Sequence, residues 1–151
     1  MIRAIGTLIL PLAVLIACSP APTPLPTSTA TIESAAEAYS AFVASWTDEH
    51  ADEVNAAAAA ADTDASQVDE YATILADAYQ AFGDGLRAIE FPESVQTEVD
   101  RELDTTGVLV GLARQLAATP SDASVKTELH QALARVAQSS ASVEAALGLS
   151  N

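Results

Sequence analysis

From Thr31 onward, apolar residues recur at three- and four-residue intervals, and the pattern breaks at only three places. That period matches one face of an α-helix, and no stretch shows the two-residue alternation of β-branched residues that marks a half-buried strand. The breaks are Asp62-Thr63-Asp64-Ala65-Ser66, Pro92 and Thr119-Pro120-Ser121-Asp122. Proline is tolerated in the first turn of a helix, where its missing N–H costs nothing, and Thr119 with Asp122 three residues on resembles an N-cap with its acidic partner. The spacing therefore predicts helices over about 32–61, 66–90, 92–117 and 121–147. Short turns make neighbouring helices antiparallel, so the expected fold class is all-α, an up-down-up-down four-helix bundle occupying 31–151.

An antiparallel register can be tested on the sequence. Between the first two helices it pairs Tyr39 with Ile89, Phe42 with Leu86 and Trp46 with Phe82. Between the second and third it pairs Phe82 with Val99 and Tyr71 with Val110, and between the last two Leu116 with Val125 and Val108 with Leu133. Large apolar residues meet at every seam. Composition matters because 33 of the residues are alanine, so much of the apolar half of the chain is small. Thirty large apolar residues remain from Thr31 on, at roughly 1.5–3 kcal/mol for each one buried, which suffices without disulfides or metal. All seven aromatics lie between Tyr39 and Phe91, which leaves the last two helices aliphatic.

The charge excludes several functions. The formal net charge is −15, which argues against nucleic acid as a partner, because phosphate neutralisation needs clustered Lys and Arg. One cysteine excludes a disulfide scaffold and any Cys-rich metal or redox motif. Met1 is the sole methionine and no CxxCH is present, so the sequence implies no haem or other cofactor. There is no Gly-rich phosphate loop, and the two histidines, His50 and His130, fall on different helices. No nucleophile–base–orienter set can be assembled, so the expectation is a protein that is not an enzyme.

Three groups of residues are candidates for binding. Trp46 lies near Phe42, Tyr39 and Phe82, with Gly83 and Gly85 expected to leave space beside Phe42, so Trp46 and Phe82 could wall a pocket. Arg114 and Arg135 have no acid within four residues on either side; they either pair with carboxylates of the first two helices or read an anionic ligand in that pocket. From Thr31 to Leu86 there are 12 acids and no Lys or Arg. Helical spacing brings Glu49, Asp52 and Glu53 together with His50 in reach, a loose divalent-cation site or a solvated acidic face. Gly107 and Gly111 form GxxxG, which in a globular helix reads as a point of close helix packing.

The N-terminus carries the most specific motif. Arg3 is followed by an apolar run, Ala4 to Ala17, too short for a membrane span and interrupted by Pro11. It reads as the core of a signal peptide, residues 1–17. The run ends Leu15-Ile16-Ala17-Cys18, which closely resembles the lipobox of bacterial lipoproteins. The resemblance implies that the Cys18 thiol takes a diacylglyceryl group, that cleavage follows Ala17, and that the new amine is acylated with a fatty acid such as palmitate. It implies a membrane partner through that lipid and an extracytoplasmic location. That location is the outer face of the plasma membrane or, with Ser19 rather than Asp after the cysteine, the outer membrane of a two-membrane cell. Residues 18–30 add Pro20, Pro22, Pro24 and Pro26 among small residues, an extended tether reaching roughly 35–40 Å. The expected role is an anchored interaction or scaffold module with a protein partner in the envelope; small-ligand binding and weak cation binding are the alternatives.

Overall fold

The computed structural model describes residues 30–149, so the signal segment, Cys18 and most of the proline-rich tether lie outside the described residues. Every element among the described residues is helical. They are α1 (Ile32–Thr63), a single 3-10 turn (Ala65–Gln67), α2 (Val68–Arg87), α3 (Gln96–Ala118) and α4 (Ala123–Ala146). α1 packs along α2, α2 along α3 and α3 along α4; no comparable seam joins α1 to α3 or α4. No described helix is long and apolar enough to cross a membrane.

Local chemistry sets the helix ends. Thr31 caps α1 in a capping box completed by a serine: Thr31 Oγ1 accepts from the Ser34 N–H at 3.1 Å, and the Thr31 N–H donates to Ser34 Oγ at 3.0 Å. Asp64 closes α1 and opens the 3-10 turn, accepting from the Ser66 N–H and hydroxyl, which hold its carboxyl below the usual range. Two boundaries differ from the sequence reading. α2 ends at Arg87 and α3 begins only at Gln96, because Pro92 opens a turn, with the Val95 N–H donating to the Pro92 carbonyl, rather than a helix. Its neighbours Phe91 and Val95 are buried, so the connection is pinned against the core. At the last break the cap is Asp122, whose carboxylate accepts from the Ser124 and Val125 N–H groups. Thr119 instead ends α3, its hydroxyl donating to the Gln115 carbonyl.

The core has two apolar ends. One is aliphatic, built on Leu75, Leu109, Leu116, Leu129 and Val136. The other gathers Tyr39, Phe82, Leu86, Phe91, Val99 and Val143. Only Ala35 and Tyr39 of α1's 32 residues are fully buried, both at the aromatic end; beside the aliphatic end α1 contributes partly buried Val54 and Ala61. The register at the first seam is close to expectation: Trp46 lies 5.2 Å from Phe82 between ring centroids. At the last seam Thr105 bonds to Ser139, near the expected register, but Val108, expected to meet Leu133, lies exposed at the surface. The middle seam differs. An added Gly83 Cβ would lie 3.6 Å from Thr106, and Arg114 reaches Gln80, so α3 sits about two turns from the pairing of Phe82 with Val99. The longer connection from Ala88 to Val95 permits that slide.

Gly85 is required by packing. A Cβ there would overlap Phe42 Cε2 and lie 2.8 Å from Cζ, so the space expected beside Phe42 is filled by Phe42 itself. Gly85→Ala should lower stability by about 1–3 kcal/mol in denaturant melts through overpacking. Restored stability in the double variant with Phe42→Leu would identify the ring as the cause, and an unchanged midpoint in the single variant would contradict the packing.

Candidate functional site

Between the two apolar ends lies a polar layer. The inward positions of α3 run Val99, Glu102, Thr106, Leu109, Ala113, Leu116, and those of α4 run Val125, Leu129, Ala132, Val136, Ser139, Val143. The 3-4 spacing of the core thus continues through Glu102, Thr106 and Ser139, all buried. Glu102 has no exposed surface. Its Oε1 accepts from Tyr39 OH of α1 at 3.2 Å and from Ser140 Oγ of α4 by a short hydrogen bond. Thr105 and Ser139 share a second cross-link at 2.7 Å, and the Ser139 hydroxyl lies 2.9 Å from the Val136 carbonyl that it can donate to.

Electrostatics set the state of Glu102. Among the described residues the one ion pair is Arg87 with Asp84, at the surface, so no cation neutralises Glu102. Burial raises its carboxyl above the usual range; the Ser140 and Tyr39 hydroxyls pull it down, and the charge of Glu144 adds to the rise. Tyr39 is raised in turn, first by burial and then by Glu102. Glu102 Oε2 and Thr106 Oγ1 have no hydrogen-bond partner among the described residues. Oε2 is therefore the oxygen free to carry the proton. The layer can hold a proton and lock three helices together; with Glu102 shut from solvent it does not present a catalytic acid to a substrate.

The structure keeps Trp46 and Phe82 together but parts them from the two arginines that the sequence grouped with them. Trp46 is packed, 5.3 Å from Tyr79 and 5.2 Å from Phe82 between ring centroids, and its Nε1–H donates to the Ala78 carbonyl at 2.8 Å. Phe82 is buried in the aromatic end. Arg114 lies on the α2–α3 face with its Nη2 3.4 Å from Gln80 Oε1. Arg135 is elsewhere, beside Asp104 and Thr105 at the α3–α4 surface, its Nη2 at 3.5 Å from Gln131. The expected interhelix ion pairs of these two arginines do not form. His50 tilts against Trp46 at 5.7 Å, while Glu49 and Glu53 are exposed. No three His, Cys, Asp or Glu side chains among the described residues converge as a metal site would require.

Sequence reasoning missed Glu102, although a signal was present: it occupies a core position between Val99 and Thr106 on the apolar face of α3. No protein-family model, curated protein or solved structure matches this chain.

The raised carboxyl makes a signed expectation. The folded state binds the Glu102 proton more tightly than the unfolded chain does, so its contribution is fully present below about pH 4.5, the ordinary value. It is lost as pH rises through the folded value. Glu102→Gln should therefore melt higher than the native chain at pH 7, with the gap closing toward pH 4. Ser140→Ala, which removes one donor to the carboxylate, should cost about 1–2 kcal/mol at pH 7. Parallel melts across pH 4–8 check both; a Glu102→Gln gap that is constant with pH would contradict them.

Proposed function

We propose that this chain is a lipid-anchored, non-catalytic interaction module held at the outer face of a bacterial membrane. The observation that carries the reading is Leu15-Ile16-Ala17-Cys18 at the end of a short apolar run, followed by alternating prolines. Two or three acyl chains on Cys18 anchor stably where one does so only marginally, at roughly 0.8 kcal/mol per buried CH₂. The helical body starts at the Thr31 cap, where the tether ends, so the spacer holds an acidic body clear of anionic head groups. The helix contacts support an up-down-up-down antiparallel path: Phe42 meets Gly85 while Trp46 meets Tyr79, and Glu102 meets Ser140 while Thr105 meets Ser139. A long α1 with only two fully buried residues leaves an extended acidic face for a partner in the envelope. Small-ligand binding is a second reading, favoured by the cleft that Arg114 lines.

Labelling with radioactive palmitate in a bacterial host, followed by mass analysis of the N-terminus, tests the anchor. The expected result is an acylated chain beginning at Cys18, with Cys18→Ser yielding an unlabelled precursor that leaves the detergent phase. An intact Met1 terminus on the native chain, or equal detergent partition of Cys18→Ser, would overturn it. A photo-crosslinker at Asp52 on α1 should capture a discrete envelope protein in cells; capture no greater than that by an unrelated lipoprotein would remove the interaction role.

A further inference from the structure

Glycines in the middle of a helix need a reason, since each costs about 0.5–1 kcal/mol relative to alanine. Gly107 and Gly111 sit in the middle of α3 on its exposed surface, and a Cβ at either would project into open space with nothing within 4 Å. They do not serve close helix packing, as GxxxG had suggested. Gly83 faces them from α2, where a Cβ would make only ordinary contacts, 3.5 Å from Arg87 Nη1 and 3.6 Å from Thr106 Cγ2. Gly85 is required by Phe42; these three are required by no neighbour.

What the three share is a cleft of about 170 Å³ between α2 and α3. Arg87 and Arg114 line it, with Tyr79 and Thr106 in its wall. This chain has six basic residues against 21 acidic ones, yet two of the six border one small cleft. Arg114 has no carboxylate within 4 Å, and its bond to Gln80 is stretched to 3.4 Å. Arg87 pairs with Asp84 through Nη1, at 3.0 Å, and Asp84 also accepts from Gln80. Thr106 is 2% exposed; its methyl carbon is the atom that a Gly83 Cβ would meet, while its hydroxyl is buried beneath the surface. Guanidinium groups take carboxylate and phosphate oxygens through paired N–H donors. Solution ions screen the repulsion from distant carboxylates beyond roughly 8 Å, whereas a contact pair persists.

We infer that this cleft binds a small organic anion, a carboxylate or phosphate monoester on a flat apolar group of about benzoate size. The anionic head rests on Arg114 with Arg87 beside it, and the apolar group lies over the backbone that Gly83, Gly107 and Gly111 leave bare. The site is independent of how the chain is anchored.

Calorimetric titration of the full chain in detergent tests this, with sodium benzoate in one arm and phenyl phosphate in the other. Emission of Trp46, the sole tryptophan, tilted against the cleft residue Tyr79 at 5.3 Å, serves as a second readout. The expected result is saturable one-site binding of at least one probe, and the arm that binds more tightly names the head group. Arg114→Met should weaken that binding at least tenfold. Gly111→Leu, whose side chain enters open space, should abolish it without lowering the melting temperature, and Arg101→Met, away from the cleft, should leave it unchanged. Absence of saturable binding by both probes would overturn the inference, as would binding that survives both Arg114→Met and Gly111→Leu.

Discussion

A carboxyl group with no exposed surface divides the core of this protein. The chain already carries a net charge of −15, and among the described residues no basic side chain comes within 4 Å of Glu102. What it has is two hydroxyls, from Tyr39 on α1 and Ser140 on α4. A buried acid left without donors costs several kcal/mol, more than one aliphatic contact supplies. Apart from Glu102, Thr106 and Ser139, the inward faces of α3 and α4 are runs of Val, Leu and Ala that tolerate more than one alignment. Sliding α4 by a heptad would take Ser140 away from Glu102 and set an aliphatic residue against it. The polar layer thus penalises wrong registers, the role that single buried polar residues play in coiled coils.

That layer also fixes α1. Most of α1 presents alanines and acids to solvent, and its tightest burial is at Ala35 and Tyr39. Tyr39 joins the Phe91 edge to the Glu102 carboxyl, so the aromatic end of the core and the polar layer hold α1 at its first few turns. Trp46 adds one further tie, through its ring contacts and its bond to the Ala78 carbonyl. Beyond it, alanines replace large side chains, which leaves the second half of α1 lightly seated. A body held at the first turns of α1 and exposed along the rest of it is what the proposed interaction module would present to a partner.

The helices were legible because their apolar period is long and uninterrupted. The first and last seams were legible because the turns there are short and leave little room to slide. The middle seam was not: Pro92 reads as a helix start by composition, but burial of Phe91 and Val95 turned it into a pinned loop, and the added length moved α3 along α2. Among the candidate residues, Trp46 and Phe82 were recognised as neighbours, yet their aromatic packing leaves the pocket elsewhere, on the face that Arg114 does line. Glu102 was hidden by its charged neighbours: Glu98, Arg101 and Asp104 suggest a solvated stretch unless the residue is placed on the core period. The glycines of α3 read as GxxxG in the sequence, yet they lie on its exposed surface and pack against no helix.

The organisation described here depends on Glu102 being held as a buried acid that favours its proton. Carbon-13 NMR of the Glu102 side-chain carboxyl, followed through a pH titration of the folded full chain, measures that directly. The midpoint should lie above the ordinary value of 4.5 and shift further up in Ser140→Ala, as loss of a donor destabilises the ionised form. A midpoint at or below 4.5 would contradict it, since the carboxyl would then behave as a solvated or cation-paired group and could not divide the core as described.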